Sequence, residues 1–328
     1  MAIETLHESA AWKAQPVSVS ALLITYNQYA YVADALRSVL AQTYPLDLVI
    51  SDDGSKDATV REIRKVLQSY SGPHRIRLRS KLPNLGVVGN QNAGLALLEG
   101  DFVVLFEGDD VSLPTRVKSL VELYMHHDRR LAAIGSSITT MDAAGNDIEQ
   151  LSWPEQQANA RDVIRQKWSV HGCSLAFRRK VFTDFGTIST HLFSGDGPLW
   201  MRAAFSRPGG VAQVQRPLVR YRLHDQNVST NIKVDFSSEE ALIESCRYLL
   251  NNEIAQRLEV RKIERYLLKR GVRNDPELAE LKRVTYRRAV LVYTFAKLPK
   301  GRWVWAVLLA MCEPQLRRLA LRFMKAAL

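Results

Sequence analysis

The sequence contains few cysteines, and their spacing argues against two kinds of site. Cys173, Cys246 and Cys312 are widely separated in a chain of 328 residues, and no Cys-x-x-Cys pair occurs. Zinc sites and disulfide frameworks are usually marked by closely patterned cysteines. We therefore expect neither in this protein, and we expect a reducing compartment, the cytosol.

Long hydrophobic segments and a secretory leader are also lacking. The longest uncharged apolar stretch, Trp303–Cys312, is about half of the ~20 residues that cross a bilayer. The first fifteen residues carry charged side chains and no apolar run, unlike a signal peptide. The sequence therefore predicts no membrane-spanning helix.

Two common nucleotide-binding motifs are missing as well. Gly86 and Gly89 lack the other glycines of the GxGxxG fingerprint, and no GxxxxGK[ST] phosphate loop occurs. The sequence therefore does not support a dehydrogenase or a P-loop enzyme.

The positive charge of the chain is concentrated at its C-terminal end. The formal net charge is +11, and the segment Leu281–Leu328 holds eleven Lys or Arg against the single acid Glu313, a net of +10. Within it, apolar residues recur at the spacing of one helical face: Leu316, Leu319, Ala320, Phe323 and Ala327. We expect an amphipathic helix that binds an anionic membrane surface. Packing of this helix on the catalytic domain or on a second subunit is the alternative, and a homo-oligomer is left open.

Apolar strands alternate with amphipathic helices in the front half of the chain. Val17–Ile24 is a β-branched run, and the apolar residues of Val32–Leu40 recur at i, i+3, i+4, i+7 and i+8. Further strands are expected at Leu46–Ile50, Ile76–Leu78, Phe102–Phe106 and Leu131–Ile138, helices around Val60–Leu67, Asn90–Leu98 and Val117–Tyr124, and a hairpin turn at Ala144–Asn146. Strands separated by helices favour parallel pairing. The sequence predicts a doubly wound α/β fold with a mostly parallel sheet over 1–230, and a basic helical region over 231–328.

Polar clusters follow the predicted strands. Thr25–Asn27 closes the first strand, Asp52 and Asp53 close the second, and Glu107 to Asp110 close the fourth. Ligands of open α/β sheets bind outside the carboxyl ends of the strands. Carboxylates gathered there repel one another, so a divalent cation, Mg²⁺ or Mn²⁺, together with a phosphate ligand, is the simplest complement.

Each acidic cluster also has a plain structural interpretation. Asp, Gly and Ser are common turn and helix-cap residues, so Asp52 and Asp53 on their own favour a turn. Asp109 and Asp110 precede Pro114 and could cap a helix, and Asp196 could cap the helix that begins near Pro198. Helix caps alone do not explain why two acidic clusters fall at the same edge of the predicted sheet. We therefore favour a functional site.

Three runs, VSALLITYN, SDDGSKDAT and NLGVVGNQNAGLALLEGDFVVLFEGDD, together resemble the nucleotide-sugar-binding half of glycosyltransferase family 2. The similarity covers roughly Val17–Ser229 and implies the GT-A fold. In that family a first acidic pair binds the nucleoside, and a later Asp-x-Asp-Asp motif binds ribose and the diphosphate-bound metal. The second motif maps to residues 107–110, where Glu107 replaces the usual first Asp.

The resemblance implies a set of binding residues. Asp109, Asp110 and His224, the last in the family's closing loop, are the expected ligands or neighbours of Mg²⁺ or Mn²⁺. The nucleotide sugar is expected at Thr25, Tyr26, Asn27, Asp52, Asp53, Asn84, Gly86, Asn90, Glu107, Gly108 and Asp109.

The resemblance also implies a catalytic base. His171–Arg178 resembles the wall beneath the donor sugar, and Phe193–Trp200 resembles the acceptor-side Glu-Asp motif, with Gly195 in place of the Glu. Asp196 corresponds to the base that takes the proton from an acceptor hydroxyl, which implies inversion at the anomeric carbon. For His224, an ordinary loop histidine is an equally good interpretation.

These observations favour a cytoplasmic glycosyltransferase on the inner face of the membrane. Its expected partners are a nucleoside-diphosphate sugar and a glycan or lipid-linked acceptor, and we expect no nucleic-acid partner. Two other classes stay open: a nucleotidyltransferase with a similar acidic rim, although Thr25–Tyr31 has no basic residue, and a nucleic-acid-binding protein that uses the basic tail.

Overall fold

Buried apolar strands form the centre of the molecule. The computed structural model describes residues 3–80, 83–154, 156–158, 171–188, 190, 195–206 and 210–227. Its strands are β1 Ile3–His7, β2 Val19–Thr25, β3 Asp47–Asp52, β4 Arg75–Arg79, β5 Phe102–Glu107, β6 Val111–Ser112, β7 Ala133–Met141, β8 Asp147–Leu151, β9 Gln156–Ala158, β10 Ala176–Arg178 and β11 Val211–Arg222. Its helices are α1 Val32–Leu40, α2 Thr59–Leu67, α3 Gly86–Leu95, α4 Arg116–His126, α5 Lys180–Thr183 and α6 Asp196–Phe205, with a 3₁₀ turn at Gly172–Ser174.

The strands form one mixed sheet. Its order is β1-β4-β3-β2-β5-β10-β7-β11-β6, with β8 paired to β7 and β9 paired to β11. The strands β4, β3, β2 and β5 are parallel neighbours, as the alternation of strands and helices predicted. The short strand β10 is inserted antiparallel between β5 and β7.

Helices cover both faces of this sheet. Ala21 and Leu23 of β2 belong to a core cluster with Leu36 of α1, whereas Leu22 points to the other face, because successive side chains of a strand alternate. There it meets α3 closely: a Cβ on Gly94 would lie 2.4 Å from Leu22 Cδ1. The doubly wound arrangement is thereby confirmed.

The clearest differences from the sequence-based expectation concern three elements. The helix expected at Asn90–Leu98 begins four residues earlier, at Gly86, in a glycine-rich turn that periodicity does not mark. The strand β1, which pairs antiparallel with β4, was not predicted. The twelve-residue strand β11 was also missed, because Pro217 interrupts its pattern and shifts its register against β7.

The predicted C-terminal region falls after the last described residue, Asn227. The boundary expected at residue 231, and the basic helix expected within Leu281–Leu328, lie outside the described residues. Within the described ranges, no helix is long and apolar enough to cross a membrane.

Candidate active site

The carboxyl ends of β2, β3 and β5 meet at one edge of the sheet. Thr25 is the register partner of Asp52, and Ile24 is the register partner of Glu107. The structure therefore brings the polar ends of these three strands together, as the sequence predicted.

Asp52 combines a turn role with a free carboxylate oxygen. Its Oδ2 accepts the backbone N–H groups of Gly54 and Ser55 at 3.1 and 3.0 Å. Its Oδ1 is buried and has no hydrogen-bond partner in the part of the chain that the structure describes. The turn interpretation accounts for one oxygen, and the other remains available to a ligand.

Asp53 fixes the next loop. Its backbone N–H donates to the Thr25 carbonyl at 2.9 Å, and its Oδ1 accepts the Leu85 N–H at 2.8 Å. Burial raises the pKa of Asp53 above its ordinary value, and the backbone donors Leu85 and Gly86 oppose this shift. Asp53 thus ties the start of α3 to the end of β2.

Gly108 allows two chain segments to approach. A Cβ there would lie 2.3 Å from Gln28 Oε1 and 2.9 Å from Thr25 Cβ, so a larger residue would push the two segments apart. Thr25 Oγ1 and Gln28 Oε1 are both buried without a hydrogen bond among the described residues. Buried polar atoms are usually satisfied, so these two oxygens could accept hydrogen bonds from a bound ligand.

Tyr26 and Asn27 have different roles at the end of β2. The Tyr26 ring is 43% exposed at the rim. Asn27 adopts a left-handed φ of 50°, donates its N–H to Ser55 Oγ at 2.8 Å and accepts the Lys56 N–H at 2.9 Å. Asn27 therefore shapes the loop, and Tyr26 offers an aromatic surface.

The residues of the glycine-rich turn serve mainly the fold. Asn84 Oδ1 accepts the N–H of Gly86, whose φ of +74° favours glycine. Asn90 is buried, and its amide is bonded to the Ser51 hydroxyl, the Ser51 carbonyl and the Arg79 guanidinium. A donor contact for Asn90 stays a prediction.

Carboxylates from β5, the following loop and α6 lie close together. Asp196 is the first residue of α6, and its carboxylate lies against Gly172, where a Cβ would be 2.1 Å from Oδ2. Burial, and then the charges of Asp196, Asp109 and Asp110, raise the pKa of Glu107 well above its ordinary value. The site is therefore short of positive charge.

Asp110 points inward. It is 5% exposed, its Oδ1 accepts the Arg222 N–H at 2.9 Å, and burial followed by the charge of Asp109 raises its pKa. These contacts give Asp110 a role in holding β11. Its expected role as a metal ligand stays a prediction.

Arg116 is a buried cation beneath the acids. Its guanidinium donates to Ser112 Oγ and to the carbonyls of Leu105 and Cys173, and burial lowers its pKa to about 10. Arg116 was not among the residues predicted from sequence. The signal was a charged residue on the apolar face of α4, beside Val117.

His224 pairs with Asp109. Its Nε2 lies 3.1 Å from Asp109 Oδ2, and its Nδ1 accepts the Gln226 N–H at 3.2 Å. Because Nδ1 is an acceptor, the hydrogen is on Nε2, which donates to the carboxylate. Tyr31, which no sequence motif indicated, stacks on the imidazole with ring centroids 4.7 Å apart.

Arg222 supplies positive charge next to this pair. Its Nε donates to the Asp109 carbonyl at 2.9 Å, Nη1 donates to the Ala143 carbonyl at 3.0 Å, and its guanidinium lies 5.0 Å from the Tyr31 ring centroid. Both the side chain and the backbone N–H of Arg222 thus join the end of β11 to the loop that carries Asp109 and Asp110.

The donor set fits a cation that a substrate helps to hold. No cluster of three or more His, Cys, Asp or Glu within the described ranges forms a complete metal cage. Mg²⁺ is commonly bound by one or two carboxylates together with substrate phosphates. Asp109, with His224 beside it, offers such a partial site.

The expected acceptor-side motif falls partly within the described residues. Phe193 and Ser194 lie outside the described residues, whereas Gly195–Trp200 are described. The segment expected beneath the donor sugar forms the 3₁₀ turn and β10, and its Cys173 is buried beside Arg116.

Comparisons with known proteins agree with this fold. A family model described as glycosyl transferase family 2 matches residues 20–186. An uncharacterized glycosyltransferase of Nostoc sp. is 30% identical over 234 residues, which are 69% of this chain and 70% of the relative. Another from Haemophilus influenzae is 24% identical, over 71% and 74% of the two chains. The crystal structure of S. aureus TarS 1–349 in complex with UDP-GlcNAc superposes with a TM-score of 0.60 at 15% identity, over 84% of this chain and 81% of that one, which shows a shared fold.

Proposed function

Because this chain belongs to glycosyltransferase family 2 and is a glycosyltransferase, we propose that it moves a sugar from a nucleoside-diphosphate donor to a hydroxyl of an acceptor, with inversion at the anomeric carbon. The observation that carries the proposal is that Asp196 lies near enough for its charge to act on Glu107, two residues before Asp109, which pairs with His224. A base and a diphosphate site are thereby near each other.

The nucleoside binds at the ends of β2 and β3. Among the described residues, Asp52 Oδ1 and Thr25 Oγ1 have no hydrogen-bond partner there, and Tyr26 offers an exposed ring. These groups suit ribose or base hydrogen bonds and base stacking. TarS, which shares this fold, holds UDP-GlcNAc in its crystal structure, and this supports a donor of the same class.

Asp109 would hold Mg²⁺ or Mn²⁺ together with the donor diphosphate, with His224 orienting its carboxylate. The bound cation would supply Lewis-acid stabilisation of the departing diphosphate. His224 meanwhile keeps Asp109 in place through the Nε2 contact, and Tyr31 keeps the imidazole ring in its plane. Arg222 adds a fixed positive charge on the same side.

Asp196 acts as the general base. Its carboxylate removes the proton of the acceptor hydroxyl as that oxygen attacks the anomeric carbon, and the bond to the nucleoside diphosphate breaks. The Glu107 carboxyl nearby contacts the donor sugar or ribose. Glu107 has the raised pKa of a crowded acid, so it can also donate a hydrogen bond when protonated.

The acceptor is a glycan or a lipid-linked sugar, reached from a cytoplasmic membrane surface. Support for this comes from the sequence: the net charge of +10 over Leu281–Leu328 suits anionic lipid head groups. Flotation of the full chain with vesicles of phosphatidylglycerol, but not of phosphatidylcholine alone, would support it. Equal flotation with both vesicles, or none, would contradict it.

A donor screen tests the enzymatic part. Each of a panel of nucleotide sugars is added to the full chain with MnCl₂ or with EDTA, and thermal unfolding is followed. We expect one donor to raise Tm with Mn²⁺ only, and we expect Asp109→Ala to abolish this rise. Glu122→Ala, an exposed acid on α4, is the matched control and should keep it. Stabilisation by nucleoside triphosphates with release of pyrophosphate would point instead to nucleotidyl transfer.

A further inference from the structure

Gln91 is a buried amide whose polar atoms are unused. It lies on α3, is 1% exposed, and neither Oε1 nor Nε2 has a hydrogen-bond partner within the described ranges. Buried amides in native proteins are nearly always paired, so an unpaired one calls for a partner such as a ligand.

The two neighbouring amides on the same helix behave differently. Both the oxygen and the nitrogen of the Asn90 amide are hydrogen-bonded, to Ser51 and Arg79. Asn92 donates to the Ile188 carbonyl at 2.7 Å and accepts the Ile188 N–H at 2.8 Å. The lack of partners is therefore particular to Gln91 among these three consecutive amides.

Gln91 fills the space next to the proposed base. A Cβ on Gly195 would lie 1.6 Å from Gln91 Oε1 and 2.6 Å from its Cδ, so residue 195 has no side chain because the amide is there. Gly195 has a φ of −89°, which any residue can adopt, so the requirement for glycine is one of space. Asp196 follows directly in the chain.

The chemistry of an amide suits a sugar at this position. A Gln side chain offers two donors and one acceptor oxygen, which can pair with hydroxyl groups as both donor and acceptor. It also carries no charge, whereas another carboxylate would add to the repulsion already present around Glu107.

We propose that Gln91 is a specificity-determining residue of the transfer site, whose amide binds a hydroxyl of a hexose held beside Asp196. This inference rests on the proposed function of the site. The hexose is either the donor sugar or the acceptor sugar, and the experiment separates these two sources.

The test compares Gln91→Met, an apolar side chain of similar shape, with the wild-type chain. In the ligand-free state we expect Gln91→Met to raise Tm, because replacing an unpaired buried amide removes its desolvation cost. Asn92→Leu is the matched control on α3 and should lower Tm, because two hydrogen bonds are lost. A lower Tm for Gln91→Met would overturn the inference, since the amide would then have a structural partner.

The second readout is binding. Calorimetry gives Kd for the donor and for the nucleoside diphosphate without sugar, and steady-state transfer to p-nitrophenyl hexosides gives KM for the acceptor. If the amide serves the donor sugar, Gln91→Met weakens donor binding about three- to tenfold, the value of one neutral hydrogen bond, and leaves diphosphate binding unchanged. If it serves the acceptor, KM for the hexoside rises by the same factor with donor Kd unchanged.

Two results distinguish the possible failures. If wild type itself binds no nucleotide sugar, the proposed function fails. If wild type binds and transfers but Gln91→Met leaves donor Kd and acceptor KM unchanged, the inference about Gln91 fails alone. Gln213→Met, which removes another buried unpaired amide on β11, should change neither constant.

Discussion

His224 Nε2 lies 3.1 Å from Asp109 Oδ2, although 115 residues separate the two in the chain. The imidazole is held from two further sides, by the Gln226 N–H on Nδ1 and by the ring of Tyr31. A histidine fixed in this way has one tautomer and one orientation. It therefore sets the position of the carboxylate that we assign to the metal and diphosphate.

His224→Asn should weaken metal-assisted nucleotide binding. Removal of a group that orients a metal ligand typically costs about 10- to 100-fold in affinity, and we expect a loss of that size in the calorimetric Kd of the donor with Mn²⁺. Binding in EDTA should change much less. His126→Asn, at the exposed end of α4, serves as the control. Equal losses with and without Mn²⁺ would argue against the metal assignment.

Asp196→Asn should separate chemistry from binding. General-base assistance is typically worth about 10²- to 10⁴-fold in rate, so transfer should fall by that factor while donor Kd stays within about twofold. Rapid-quench measurement of product, with calorimetry alongside, checks both. Glu122→Gln should transfer at the wild-type rate. A modest change in rate for Asp196→Asn would assign the base to another residue.

Glu107→Gln should stabilise the metal-free protein at neutral pH. The pKa of Glu107 in the folded chain is raised above 4.5, so the folded state binds more protons than the unfolded state and loses stability as pH rises above that value. The variant removes this loss. Thermal unfolding in EDTA from pH 4.5 to 8 should show a smaller decline for the variant than for wild type, and an identical decline would contradict the expectation.

His74 should make the folded state less stable as pH falls, whereas Glu107 makes it less stable as pH rises. Burial lowers its pKa from 6.5 to about 4, and the neutral ring accepts the Leu46 N–H and donates to the Leu40 carbonyl. Its folded pKa is depressed, so stability is full above pH 6.5 and is lost as pH falls toward 4. The difference corresponds to about 3 kcal/mol.

His74→Gln keeps a donor and an acceptor without titrating in this range. Denaturant unfolding at pH 7 and pH 4.5 should therefore show a smaller difference for His74→Gln than for wild type. A variant as acid-sensitive as the wild-type chain would place the effect on another group.

Much of the parallel centre could be predicted from sequence, because burial on both faces leaves a simple signal. Val17–Ile24 and Phe102–Phe106 are continuous apolar runs, and they fall within one or two residues of β2 and β5. The hairpin turn predicted at Ala144–Asn146 was also found. Gly145 has a φ of +92° between the antiparallel strands β7 and β8.

The strands that complete the site carried weaker signals. The strand β10 has three residues, too few for a pattern, and β11 contains Pro217, which breaks alternation although it lies at a register shift. Sequence could therefore identify the acids of the rim, but it could not show that β11 brings His224 to Asp109.

The same limit applies to side chains whose role is spatial. Gly195 and Gln91 are more than one hundred residues apart, and their fit is visible only when α3 and α6 are placed together. Asn90 is a further case: its predicted contact with the donor stays a prediction, and only the structure shows the three hydrogen bonds that tie it to β3 and β4.

The two-residue strand β6 has a consequence for how this protein can vary. Val111 and Ser112 pair with Arg220 and Val219, so the short ladder between β6 and β11 sits just beyond Asp109 and just before His224. Chain length can change between these points, for instance in the hairpin of β7 and β8, without altering the spacing of acid and imidazole. The pairing of β6 with β11 therefore fixes the distance between Asp109 and His224. Insertions that preserve this pairing should be tolerated.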